Sequence, residues 1–454
     1  MPVLANPLRT LRARYGAGPL VLAAALPFLF LHRHYQPSFT AGSVNVTLAD
    51  AALLAVVATA AVSGWRNGLE PLRHARMVWL LLALFMAWIF ASLFWAHSND
   101  PAYTTGSHFV SALKFLEFTL LAPAVPLLLR RERDLRVLFV GLTAWSTFIT
   151  TIALLQFLGV LDEFEGRRPL QREPSYVGVH ELGALSGATL GLALAALLVG
   201  RWRRTTTVAA FAGGLGVALA AALDSVGGVA MAAATLWGAT RARGQVPVRR
   251  TLALCAIVLA VGVAAVSLRG AAVTAFLEFL GVRAADQQTQ THVQTYAHRT
   301  LLGYIGVEIW LDHPIVGAGW QESLEPAAFT RHLAQAHRRF PTEPEQAFPA
   351  PDHKWGVQNG IIQTAADLGI VGLLLLLAAV AGAFRLALRA ALDRRAQATE
   401  AALAALVWLW VSFAVFTGTG LLAGASVDTL LWISVGLAVA VSAKPLHESL
   451  TTPR

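Results

Sequence analysis

The feature that most constrains this chain is a run of about 18 or more apolar residues, recurring along almost its whole length. As a helix, such a run crosses a hydrocarbon core of roughly 30 Å. The core offers backbone groups no water, so only helices and closed barrels can span it. Barrel strands alternate apolar and polar residues, whereas these runs are continuous. With 56% hydrophobic and 13% charged residues, the composition is that of neither a soluble enzyme nor a nucleic-acid-binding domain. The expected fold class is an all-α polytopic membrane protein.

About twelve transmembrane helices are expected, near 19–31, 46–64, 77–96, 109–129, 137–160, 182–200, 206–223, 226–240, 251–268, 358–384, 401–417 and 429–443. Residues 1–268 carry the first nine and a polar loop at 161–181. Residues 269–357 form a large, partly helical loop, and 358–454 hold the last three spans and a tail. The net charge of +9 is concentrated in alternate short loops, such as Arg66, Arg73 and Arg76 after the second span. The positive-inside rule then puts both termini, with Lys444, in the cytoplasm and the two long loops outside. Charge placed this way orients the chain and calls for no nucleic acid. The basic N-terminal segment flanks the first span and is not followed by a small-residue cleavage site. Cys255, the single cysteine, lies in an apolar run, which excludes an internal disulfide and a cysteine metal site. The scattered histidines form no metal-binding pattern. The proline-rich piece at 340–351 reads as an extended, poorly ordered stretch.

Chemistry concentrates between Leu301 and Gly372. Asn359, Gln363 and Asp367 recur every four residues and share one helix face. Asp367 would lie roughly 14 Å below Gln358 at 1.5 Å per residue. It either faces a wet cavity or serves as interhelical glue. Lys114 and Glu117 are spaced as an intramembrane ion pair. The outer loops carry Arg167, Arg168, Arg172, Arg283, Arg299, Arg331, Arg338, Arg339 and Lys354. They also carry His180, His292, His298, His313, His332, His337 and His353. Guanidinium forks suit diphosphate oxygens, although a solvated loop is charged as well.

At HPIVGAGW (313–320) and QNGIIQTAADLGIVG (358–372) the chain resembles the O-antigen ligase and polymerase superfamily of bacterial envelope glycan enzymes. Arg299 stands fifteen residues before Pro314 of a P-x-x-G-x-G turn with Gly317 and Gly319. Asn359, Ile362, Gln363, Asp367, Gly369 and Gly372 then fall on the family's second pattern. Two positions depart from it: Gln358 stands where the family has its His, and Val226 where it has an Arg after Ser225. Glutamine does not titrate usefully, so His353 or His180 would have to supply a base.

The resemblance implies a multi-pass protein of the bacterial cytoplasmic membrane that moves a glycan from an undecaprenyl-diphosphate carrier to an acceptor hydroxyl. The acceptor would be a glycan, a lipid A-core or a protein, and membrane lipids would surround the site. The scheme needs no cofactor and no metal. Arg299, with Arg172 or Lys354, would neutralise the diphosphate, and His353 would be the base. His180, Gln358, Asn359, Gln363 and Asp367 would hold or orient substrate. A polymerase of the same superfamily, a non-catalytic glycan-lipid binder and a transporter are the alternatives.

Overall fold

The structure, a computed structural model, describes residues 16–41, 44–99, 103–161, 169–244, 246–270, 274, 277–278, 282, 295–393, 399–420 and 426–443. Arg167, Arg168, Arg283, His292 and Lys444 lie outside the described residues.

The described part opens with α1 (Ala17–Phe30) and a small hairpin of β1 (Ser38–Ala41) and β2 (Val44–Thr47), then α2 (Leu48–Asn67) and α3 (Arg76–Asn99). Next come α4 (Thr105–Thr119), α5 (Leu121–Leu128), α6 (Glu132–Phe157) and α7 (Val179–Val199). They are followed by α8 (Arg204–Ala220), α9 (Leu223–Arg243) and α10 (Val248–Leu268). After the large loop's α11 (Thr295–Asp312) and α12 (Pro326–Arg339) come α13 (Gly360–Leu392), α14 (Thr399–Thr419) and α15 (Ser426–Ser442). Each expected apolar run is helical. Among the described residues, eight stretches are long and apolar enough to cross a membrane, and α1 and the 428–442 part of α15 are shorter apolar helices.

The fourth run is not one helix. It breaks at Leu120 into α4 and α5, and Pro123 falls in the first turn of α5, where its missing N–H costs little. Lys114 does meet Glu117 (3.4 Å), but its shorter contact is to Asp50 at 2.6 Å. Asp50 also accepts from Thr47 N at 2.7 Å at the start of α2, so the lysine pins α4 to that helix start.

Helix α7 sits at the centre, with most of its side chains buried. Gly183, Gly187 and Gly191 run down it at four-residue spacing. A Cβ there would strike Ser225 of α9 at the first position and Val411 and Val407 of α14 at the next two. Lipid tails are as apolar as leucine, so close backbone approach at small residues drives such packing.

Helix α13 has 33 residues, about 50 Å of helix, well beyond a bilayer core of roughly 30 Å. It is broken at Gly369, whose φ of 64° and ψ of −170° interrupt the hydrogen-bond ladder. The freed backbone groups are taken up by the P-x-x-G-x-G turn. Ala318 N donates to Ala366 O and Gly319 N to Asp367 O, both at 2.8 Å. In return Ile370 N donates to Pro314 O (2.9 Å) and Val371 N to Ile315 O (3.3 Å). Trp88 of α3 closes the patch by donating its indole N–H to Leu368 O at 2.9 Å. Backbones meet so closely here that a Cβ on Gly317 would overlap Asp367 O, and one on Gly369 would overlap Ile315 O.

The large loop has its own core. Leu301, Leu302, Ile305 and Ile309 of α11 pack against Phe329 and Ala336 of α12 and against Phe340, Ala347 and Phe348. The 340–351 stretch therefore departs from expectation. Its prolines alternate with apolar side chains that anchor it, and Glu345–Ala347 forms a 3-10 turn.

Gly369→Ala and Gly317→Ala should each destabilise the protein by on the order of 2–4 kcal/mol, from a strained positive φ plus overlap. Gly238→Ala, in α9 with nothing within 4 Å of the added carbon, should be neutral or slightly stabilising. Melting temperatures in detergent check the contrast.

Candidate functional site

Four helix starts meet at one end of the bundle. His180 lies in the first turn of α7, behind Gly178 at a φ of 106°, and Asp224 lies in the first turn of α9. Arg299 is near the start of α11, and Gln358 immediately precedes Asn359, the N-cap of α13. Each helix start carries partial positive charge, so their convergence favours an anion. The Gly183–Ser225 approach sets the separation of α7 and α9, one turn below His180 and one residue past Asp224.

At the centre, an Arg299 guanidinium nitrogen is 3.0 Å from His180 Nε2, and Arg299 Nε donates to Gln358 Oε1 at 3.1 Å. His180 Nδ1 is 2.8 Å from Asp224 Oδ2. Arginine can only donate, so Nε2 is the acceptor and the ring proton sits on Nδ1, facing the carboxylate. Asp224 is held in turn by Ser225 N, which donates to Oδ1 at 2.7 Å. Gln358 now has a physical role. A protonated imidazole there would repel Arg299, whereas the amide oxygen accepts from it and aims the fork.

The remaining expected site residues are distributed around this centre. Asn359 Oδ1 accepts from Ile361 N and Ile362 N at 3.1 and 3.0 Å, so it caps α13. Gln363 is buried one turn further on, and its N–H donates to Asn359 O at 2.8 Å. Asp367 is 0% exposed and accepts from Ser323 N at 2.9 Å. It ties down the turn after Trp320 rather than facing a wet cavity. Arg172 is half-buried in the segment leading to α7, which is fastened where Glu173 N donates to Leu219 O at 3.0 Å.

His353 is not placed against Arg299. Its Nδ1 is 3.0 Å from Asp352 Oδ1 and its Nε2 is 3.1 Å from Phe348 O, so both nitrogens are engaged elsewhere. Lys354 pairs with Glu325 at 2.7 Å, and Glu325 also faces His108 Nε2 at 3.4 Å. Sequence reasoning missed Asp224, the residue before the Ser225–Val226 departure. The four-residue glycine spacing of α7 marked a face for close helix approach, but not that the start of α9 packs against it.

Residues 225–377 match the family model for O-antigen ligase. The resemblance to that superfamily, read above from residues 299–372, is thereby shown. No curated protein matches the chain. The superfamily match, covering about a third of the chain, points to a glycan-transferring enzyme of ligase or polymerase type and to a bacterial membrane protein. Arg299, Gln358 and the Gly317–Gly369 pairing lie inside the matched segment, whereas His180 and Asp224 lie outside it.

His298, beside Arg299, is buried, and burial holds its imidazole below the usual histidine range. A hydrogen bond to the Ala347 backbone partly offsets this, and the charge of Arg299 adds to it. A base depressed in the folded state binds fewer protons than in the unfolded chain. Its contribution is therefore complete above the unfolded value of about 6.5 and is lost as pH falls from there towards the folded value. The melting temperature should fall between pH 7 and pH 5.5, and His298→Gln should reduce that fall.

Proposed function

We propose that this protein is an O-antigen ligase-like glycosyltransferase working at the outer face of the bacterial cytoplasmic membrane. It would move a glycan from an undecaprenyl-diphosphate carrier to an acceptor hydroxyl on a glycan, a lipid A-core or a protein. The observation that carries this reading is Arg299, held between His180–Asp224 and Gln358 where four helix starts meet. The opposite ends of the helices support the orientation. Arg201 and Arg203 follow α7, Arg241 and Arg243 end α9, and Arg389 lies in the last turn of α13. Basic ends favour the cytoplasm, which leaves the cluster outside, with both termini inside after about twelve crossings.

The chemistry follows from the contacts. The anomeric carbon already carries a diphosphate leaving group, so the protein must neutralise departing charge and position the acceptor. Arg299 turns from His180 to the phosphate oxygens, where its fork makes charge-assisted bonds. That movement frees the lone pair on His180 Nε2. As the acceptor oxygen bonds to the anomeric carbon, its proton passes to Nε2 and the bond to diphosphate breaks. The imidazolium that forms is stabilised by Asp224, and the undecaprenyl diphosphate leaves with its charge on Arg299 and the helix starts. Each step uses this chain's own side chains.

Turnover of an undecaprenyl-diphosphate-linked oligosaccharide by purified protein tests the reading. Arg299→Ala should lower kcat/KM by about 10²–10³-fold. His180→Ala should lower kcat by about 10²–10⁴-fold, and His353→Ala should retain turnover at saturating donor. Normal transfer by Arg299→Ala, or its abolition in His353→Ala alone, would remove the assignment.

A further inference from the structure

The loop before α13 contains an aromatic side chain that the reaction above does not use. Trp355 is 41% exposed, while Trp320 of the same loop is fully buried. The other large exposed apolar side chains fall mostly on the helices of the bundle, whose outer faces meet lipid. Trp355 lies in the extramembrane segment.

Its indole is braced by two T-shaped ring contacts. The His298 ring lies 5.2 Å away at 82°, and the His353 ring lies 6.1 Å away at 73°. Both braces are anchored, His353 by Asp352 and Phe348 O and His298 by its burial in the loop core. T-shaped contacts hold an aromatic ring without stacking over it, and much of Trp355 stays open. The backbone N–H of Trp355 also donates to His353 O at 2.9 Å, which fixes the chain beneath the ring.

The platform adjoins the charged centre. Trp355 is three residues from Gln358, a span of at most about 11 Å, and its brace His298 is the residue before Arg299. Around it stand Asp352 and Lys354, which can accept from and donate to hydroxyl groups. An aromatic face carries negative potential and attracts weakly positive C–H edges, and one face of a pyranose presents a row of them.

We propose that Trp355 is a sugar-stacking subsite for the pyranose next to a diphosphate held at Arg299, with His353 as its positioning residue. This rests on the functional reading given above. It also gives His353 a task consistent with its distance from the charged centre. Stacking reads ring faces more than hydroxyl pattern, so one simple probe sugar is adequate.

The test compares binding of undecaprenyl diphosphate with undecaprenyl-diphosphate-linked N-acetylglucosamine, using full-length protein in nanodiscs. Trp355→Ala should weaken the sugar-bearing lipid by about tenfold or more and leave the bare carrier unchanged. Trp355→Phe should restore most of the loss, and His353→Ala should fall between. Equal weakening of both lipids would make the indole a headgroup anchor of the interfacial kind, and no weakening of either would leave it without a role; both overturn the subsite. Arg299→Ala should lose both lipids. Wild-type protein that holds neither would take down the functional reading itself.

Discussion

The backbone pairing between the broken helix α13 and the turn at 314–319 is the constraint on which the rest of the structure depends. A helix interrupted at Gly369 near the membrane leaves carbonyls and N–H groups that lipid cannot satisfy. The turn supplies partners for Ala366 O, Asp367 O, Ile370 N and Val371 N, and Trp88 supplies one for Leu368 O. Because the turn is the continuation of α11, this pairing also fixes α11 alongside the first half of α13. Arg299 and Gln358 are thereby brought to the same level, within hydrogen-bonding distance. Glycine is required on both sides because two backbones occupy the space of their side chains.

A second, independent constraint places the other half of the site. The small residues of α7 let α9 and α14 approach until backbone nearly touches side chain, and the start of α7 is carried with them. His180 and Asp224 meet as a result, in a geometry that assigns the ring proton to Nδ1. The site thus lies where the packing around α7 meets the start of α13, and Arg299 bonds to a side chain from each, His180 and Gln358. In the proposed reaction Arg299 would change partners when the diphosphate arrives.

The departures from the superfamily pattern acquire a common explanation at this junction. Where the pattern has an ionisable imidazole, Gln358 offers a neutral acceptor to Arg299. Where it has an arginine after Ser225, the neighbouring acid Asp224 orients an imidazole that comes from α7. In this chain the guanidinium of Arg299 meets a neutral amide on one helix start and an imidazole on another.

Much of this protein was legible in the residue order alone. Apolar runs of membrane-spanning length dictate helices wherever they occur, because lipid allows no alternative, and all twelve expected runs are helical. The spacing of Arg299, Pro314, Gly317, Gly319 and Gly369 likewise marked a turn and a special backbone position, since glycine at those positions has local steric causes. What residue order could not decide was which polar groups meet. His180 and Arg299 are 119 positions apart, and their contact depends on how the helices that carry them pack. His353 and Asp367 looked equally suited to chemistry, yet one is tied to Phe348 O and the other to Ser323 N. Periodicity reports a side chain's face on its own helix, and only packing determines what that face meets.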